Sequence, residues 1–255
     1  MNKILLTATT AAHEAGNKIY SFFHSEYEVK MKGKGNPVTE ADIAADDILK
    51  KILTSEFPDY GWLSEETRDT PDRLTKKRVW VVDPIDGTKE FVEGIPNFVV
   101  SIGLVENGIP ILGVIHNPIN KDTYTATLGG GILFNGKQST INDKTEFSQI
   151  SMLNSRSETR QGLWEPYIPR FKKLIPIGSI ALKLAMVAAN QTDMVASLKP
   201  KNEWDICAGH CLINEAGGKL LTVEGKEITY NNPKTLITPG LVAGNESVVN
   251  SFIKL

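Results

Sequence analysis

The run Trp80-Val81-Val82-Asp83-Pro84-Ile85-Asp86-Gly87-Thr88-Lys89-Glu90-Phe91 constrains this chain more than any other stretch. An apolar segment of strand character runs into two acids, and a Gly-Thr pair follows. Pro84 has no N–H for a sheet ladder and is excluded from helix interiors, so the strand is predicted to end there. Gly87 permits a tight turn, and Thr88 is a candidate cap for a short helix. On so bent a backbone, two acids three residues apart can point into one small volume. Carboxylates about 4 Å apart repel by roughly 4 kcal/mol at an effective dielectric near 20. A divalent cation between them, or a proton on one, removes that cost. Oxygen ligands suit Mg2+, and the N–H groups of a Gly-Thr turn suit a phosphate beside it. The segment reads as a magnesium–phosphate site, against the plainer reading of a polar strand exit.

The rest of the chain limits which protein could carry such a site. Its 255 residues suffice for one large core or two intimate subdomains. A net charge of −2 without any sustained Lys or Arg run advertises neither a nucleic-acid nor a membrane surface. An anionic substrate would then be handled locally, most simply by metal ions. Cys207 and Cys211 lie four apart in a helical pattern, a poor disulfide geometry, and no histidine accompanies them at zinc spacing. They read as small core residues in a reducing compartment. Ile4, Ala8, Ala11, Ala15, Ile19 and Phe22 follow helical spacing, so the N-terminus is expected to be an amphipathic helix and not a signal peptide. No apolar run reaches membrane-spanning length, and a cytoplasmic location is the expectation.

After that helix the polar segment 30–36 reads as flexible. Thr39 and Asp42 then have the spacing of a capping box, with Ile43, Ile48, Ile52 and Leu53 as the apolar face of the helix they open. Strands are predicted at 79–82, 98–105 and 109–116, the last two joined by Asn107-Gly108, with 124–128 and 132–134 extending the sheet. Helices are predicted at 179–190 and 205–216, the second stopped by Gly217-Gly218. A subdomain boundary falls near 140, dividing a single fold into 1–140 and 141–255. Strands mixed irregularly with helices indicate a layered α/β or α+β fold rather than a doubly wound one. Residues 131–138 almost spell a P-loop but read as a β-turn, because nothing starts a helix there. Phosphatases with an Asp nucleophile space their two acids one residue apart, which Asp83 and Asp86 do not match.

Four separated segments fit one family: Ser64-Glu65-Glu66; Asp83-Pro84-Ile85-Asp86-Gly87-Thr88; Gly178-Ser179; and Trp204-Asp205-Ile206-Cys207-Ala208-Gly209 with Glu215-Ala216-Gly217-Gly218 downstream. In this order, across roughly residues 30 to 220, they resemble the magnesium-dependent, lithium-sensitive phosphatases of the inositol monophosphatase superfamily. The resemblance implies an α+β fold, a layered αβαβα sandwich with the site between its halves. It implies Glu65, Asp83, Asp86 and Asp205 as metal-binding carboxylates for two or three Mg2+ ions, with the carbonyl of Ile85 as a further ligand. Glu65 and Thr88 would orient the attacking water, with Asp42 supporting the threonine. Gly87 and Thr88 would hold the phosphate, and Lys32 matches a lysine that precedes this segment. The implied partner is a small phosphate ester, with no nucleic-acid polymer and no membrane, and the protein would be a monomer or homodimer.

Within the superfamily, Thr88-Lys89-Glu90-Phe91 resembles the 3'(2'),5'-bisphosphate nucleotidases, as does Lys183 after Gly178-Ser179. This likeness implies Gly178, Ser179, Lys183 and Asp205 as substrate contacts and 3'-phosphoadenosine 5'-phosphate as the substrate, converted to AMP and phosphate. Two features depart from it. Glu158 stands where a histidine can stack on adenine, and Gly178-Ser179-Ile180-Ala181-Leu182-Lys183 is longer than the usual segment. An inositol or sugar phosphatase is the alternative, and a non-catalytic binder of phosphate metabolites is a more remote one.

Overall fold

The computed structural model describes residues 2–33 and 36–255. Seven α-helices are described: α1 (Asn2–Phe22), α2 (Glu40–Glu56), α3 (Thr88–Val92), α4 (Arg156–Arg160), α5 (Ile180–Ala188), α6 (Glu203–Glu215) and α7 (Glu246–Phe252). The strands of the first half are β1 (Val29–Gly33), β2 (Asn36–Thr39), β3 (Gly61–Ser64), β4 (Arg78–Asp86), β5 (Val99–Glu106), β6 (Ile109–Asn117), β7 (Asp122–Thr127), β8 (Gly131–Phe134) and β9 (Lys137–Ser139). Those of the second half are β10 (Ser151–Ser155), β11 (Lys173–Ile177), β12 (Met194–Ser197), β13 (Lys201–Asn202), β14 (Lys219–Thr222), β15 (Leu236–Ile237) and β16 (Leu241–Gly244). A seven-stranded sheet runs in the order β3-β4-β5-β6-β7-β8-β9, and a five-stranded sheet in the order β11-β10-β12-β16-β14. The chain leaves the first sheet at Ser139 and enters the second at Ser151.

Alternation along the strands creates the layers, because successive side chains leave a strand on opposite faces. Trp80 and Val82 join α1 and α2 through Ala8, Ala15, Leu49 and Leu53. Val79 and Val81 turn the other way, onto α5 and α6 through Leu184, Ile206 and Leu212. From the second sheet, Leu153, Val195 and Ala243 reach that same central layer. Their neighbours Met152, Met194 and Val242 face outward onto Val248, Val249 and Phe252 of α7. Helix, sheet, helix, sheet, helix is the αβαβα sandwich. Each fully buried aliphatic side chain contributes about 1.5–3 kcal/mol, so a one-residue slip of register would be prohibitive.

Four local expectations are corrected. β4 does not end at Pro84. It continues to Asp86, and the pairing advances from Asp83↔Ser101 to Asp86↔Val99, three residues against two. That is a β-bulge, one of the few sheet positions where a residue without an N–H is tolerated. The segment expected to be flexible carries β1 and β2, paired antiparallel with Val29 opposite Thr39 and Lys30 opposite Val38. The side chain of Lys32 lies outside the described residues. In α2 the buried stripe is Ala41, Ala45, Leu49 and Leu53, whereas Ile43 is exposed. α6 begins at Glu203 because Asn202 takes the cap and forms a capping box with Asp205.

Candidate functional site

A cavity of about 400 Å³ opens where the bulge of β4, the start of α3 and the N-termini of α5 and α6 meet. Its walls include Glu65, Asp83, Asp86 and Thr88 from the first half, with Ser179, Lys183 and Asp205 from the second. Carboxylate oxygens of Glu65, Asp83 and Asp205 lie within 4.8 Å of one another. Three carboxylates gathered this closely are the hard oxygen donors that a divalent cation takes, so the donor set fits a metal ion in its chemistry.

Local structure explains how each acid arrives. Asp83 is 2% exposed, and its Oδ1 accepts the N–H of Ile85 at 3.0 Å across the bulge. Asp205 stands in the first turn of α6, where its Oδ2 accepts the N–H of Asn202 at 2.7 Å. Glu65 follows β3, and its N–H donates to the carbonyl of Val82 at 3.3 Å, extending the ladder beside Asp83. Asp86 is placed differently from the other three. Its Oδ2 accepts from the Ser179 hydroxyl at 2.6 Å and the Ala181 N–H at 2.5 Å, so one oxygen is held by the start of α5.

Burial and neighbouring charges raise the pKa values of Asp83, Asp86 and Asp205. Burial first, then the charges of Glu65 and Asp86, push Asp83 well above the usual carboxylate range. Burial, Asp86 and Glu65 do the same to Asp205. Asp86 is pushed up to about 6, burial outweighing its bonds to Ser179 and Ala181. A carboxylate with a raised folded-state pKa contributes stability fully present below its unfolded value of about 3.8 and lost as pH rises through the folded value. His116 and His210, held down to about 4 by burial, act in the opposite sense over the same range. The acids are therefore read in the gain that saturating Mg2+ gives the thermal midpoint, which should grow between about pH 4 and pH 8. Scanning calorimetry with and without Mg2+ over this range checks it; a gain no larger at pH 8 than at pH 4 would contradict the crowding of these acids.

Thr88 is the first residue of α3, and Gly87, not Thr88, is its cap. Gly87 has φ +112°, and a Cβ there would lie 2.9 Å from the carbonyl oxygen of Asn97, so both conformation and space call for glycine. Relieved of capping, the Thr88 hydroxyl lies 2.9 Å from Asp42 Oδ1 and 3.1 Å from the carbonyl of Ile85, and can donate to either. Asp42 is itself held by the N–H and hydroxyl of Thr39 at 2.7 and 2.6 Å. Its pKa is raised by burial against these bonds.

The opposite wall is cationic. Lys183 is 3% exposed and its ammonium donates to the carbonyl of Ile177 at 3.2 Å. Burial and the neighbouring Lys201 pull it down to about 8, against the pull of Asp86. The Lys201 ammonium donates to the carbonyls of Lys199 and Pro200. Ser179 caps α5 at a backbone φ of +55°, its hydroxyl accepting from the Leu182 N–H and donating to Asp86. Gly178 lies against Glu90, whose carboxyl any Cβ at this position would strike.

Sequence reasoning missed several of these residues. Lys201 and the Arg156–Glu90 ion pair at 2.6 Å also line the cavity; Glu90 stood in a quoted motif without a role, and Lys201 stood in none. Glu158, in the position compared with a stacking histidine, is 1% exposed and does not line the cavity. It accepts from Trp164 Nε1, the Ser197 hydroxyl and the N–H groups of Leu198 and Lys199. Three of these four donors come from the run 197–199, about forty residues along the chain, where no local motif reaches.

Comparison with known proteins agrees with this geometry. The inositol monophosphatase family model matches residues 1–253. Inositol monophosphatase 1 of Solanum lycopersicum is 32% identical over 248 residues, covering 93% of this chain and 91% of its own. The 3'(2'),5'-bisphosphate nucleotidase CysQ of Haemophilus influenzae is 32% identical over 256 residues, covering 97% and 93%. Among solved structures, an inositol monophosphatase of Thermotoga maritima superposes with a TM-score of 0.88 at 29% identity, covering 100% of this chain and 96% of that one. No helix among the described residues is long and apolar enough to cross a membrane. With the layered fold, the acidic cluster and this match over nearly its whole length, the chain belongs to the inositol monophosphatase family and is a phosphoric monoester hydrolase.

Proposed function

We propose that this phosphatase is Mg2+-dependent and acts on 3'(2'),5'-bisphosphate nucleotides, releasing phosphate from 3'-phosphoadenosine 5'-phosphate. The observation that carries the substrate class is the buried ammonium of Lys183, which faces the cavity across from the acids and donates only to a carbonyl among the described residues. A substrate with a second anionic group would give it a counter-charge. In this reading Glu65, Asp83, Asp86, Asp205 and the Ile85 carbonyl hold the cation. Bound Mg2+ neutralises ester oxygens and lowers the pKa of water.

The chain's own groups do the rest. As the Thr88 hydroxyl takes a proton from the attacking water it passes its own to Asp42 Oδ1, 2.9 Å away, so the proton ends on that carboxylate. Glu65 is the second acceptor for that water. The N–H groups of Gly87 and Thr88 hold the phosphate being cleaved, while Gly178, Ser179 and Lys183 line the side that receives the remainder of the substrate.

The test is kcat/KM for 3'-phosphoadenosine 5'-phosphate and for inositol 1-phosphate, with Mg2+, on the same preparation. Preference for the nucleotide supports the reading, preference for inositol phosphate replaces it, and absence of phosphate release from either removes it. Lys183→Met keeps the length of the side chain and removes its charge. Losing one charge-assisted contact of about 1.5–3 kcal/mol should lower kcat/KM roughly tenfold to hundredfold on the bisphosphate. The loss should be small on 3'-AMP, which lacks the second phosphate. Equal losses on both would mean that Lys183 does not read it.

A further inference from the structure

We propose that Asp46 is a positioning residue for Glu65, and that α2 sets the geometry of the site by holding Glu65 and Thr88 from two acids one helical turn apart. The proposal rests on the reading of Glu65 as a cation ligand.

Glu65 sits at the point where β3 has just ended, and regular structure resumes only with the short 3-10 helix Pro71–Thr75. Asp46, on α2 and 5% exposed, spans this turn with both carboxylate oxygens. The Ser64 hydroxyl donates to its Oδ1 at 2.5 Å, and the Thr67 hydroxyl donates to its Oδ2 at 2.5 Å. One donor precedes Glu65 and the other lies two residues beyond it. The turn is tightened further by the Glu66 N–H, which donates to the Ser64 oxygen, and by Trp62 Nε1, which donates to the Thr67 oxygen. Two short hydrogen bonds to the two oxygens of one carboxyl leave little angular freedom between them.

Four residues earlier on the same helix face, Asp42 accepts from the Thr88 hydroxyl. The two groups assigned to the attacking water therefore hang from consecutive turns of one helix. That helix is anchored on its inner side by Ala41, Ala45, Leu49 and Leu53, all fully buried. Its rise over four residues is about 6 Å and does not vary, so the separation of the two attachment points is fixed before any substrate arrives. The crowded acids Glu65, Asp83 and Asp205 repel one another, and a turn held by Asp46 resists drifting away from the other two.

The test measures Mn2+ binding to the resting protein by isothermal titration, alongside turnover at saturating Mg2+. Asp46→Ala removes both acceptors; Thr67→Val keeps shape and removes one donor; Asp46→Asn keeps one acceptor. Groups that orient metal ligands typically account for about 10–100-fold in affinity, so Asp46→Ala should weaken Mn2+ by about that factor. Thr67→Val should have a smaller effect of the same sign, and Asp46→Asn should recover part of the loss. Turnover at saturating Mg2+ should fall by about 10–100-fold, with KM for the phosphate ester changed little. Should Asp46→Ala not fold, Thr67→Val decides alone. Variants that melt earlier but bind Mn2+ and turn over like wild type would overturn the proposal, since Asp46 would then brace only the fold. Wild-type protein that binds no Mn2+ would overturn the cation reading, and this proposal with it.

Discussion

Asp83→Asn is expected to lower phosphate release by about 10²–10³-fold at saturating Mg2+, the scale of losing one preorganised electrostatic group from a site that stabilises developing charge. The fold should survive. Asn can keep the acceptor that Ile85 N–H uses, and the change removes one of the charges that crowd Glu65 and Asp205. Relief of repulsion between carboxylates near 4 Å is worth at most about 4 kcal/mol at an effective dielectric of 20, less whatever protonation already relieves. The thermal midpoint without cation should therefore hold or rise even as activity is lost. Three measurements separate these effects: phosphate release, Mn2+ affinity and unfolding without divalent ions. A variant that keeps most of the wild-type turnover would take Asp83 out of direct cation contact.

Thr88→Ala should reduce turnover by about two to four orders of magnitude, the range for removing one acid–base partner. The Mg2+ concentration giving half-maximal rate should move far less, because the hydroxyl is assigned to the water and not to the cation. Stability should fall by only about 1 kcal/mol, since Asp42 retains both of its bonds from Thr39. Thr88→Ser restores the hydroxyl and should recover most of the rate. If raising Mg2+ fully restores Thr88→Ala, the threonine serves cation binding instead.

The fold was legible where local pattern and burial agree. The apolar run Val79 to Val82 reads as a buried strand and the helical spacing of Ala8 to Ile19 as an amphipathic helix, and both segments fold as read. Asn107-Gly108 and Asn135-Gly136 have positive φ at both residues, the backbone that such pairs adopt in tight hairpins. Reading failed where the decisive partner was distant. Pro84 stays within its strand because β5 accommodates an extra residue opposite it, which no local rule reveals. Ile43 faces solvent although its apolarity placed it inside, because the stripe of α2 is set by what α1 and the sheet leave room for.

By itself, then, the sequence determined most strands and helices, the hairpins and the proximity of Asp83 and Asp86, because each depends on neighbours within about ten residues. The layered class came from the order of those elements and from four segments spread over roughly residues 30 to 220. Only the tertiary structure decided which acids share a volume. It brought Glu65, Asp83 and Asp205 together from the turn after β3, from β4 and from α6, and it turned one oxygen of Asp86 to α5. It also buried Glu158 among donors from a distant loop and set Lys183 and Lys201 side by side in the cavity wall. Such choices depend on long-range distances, and side-chain charges act across a few ångströms of space however far apart they stand along the chain.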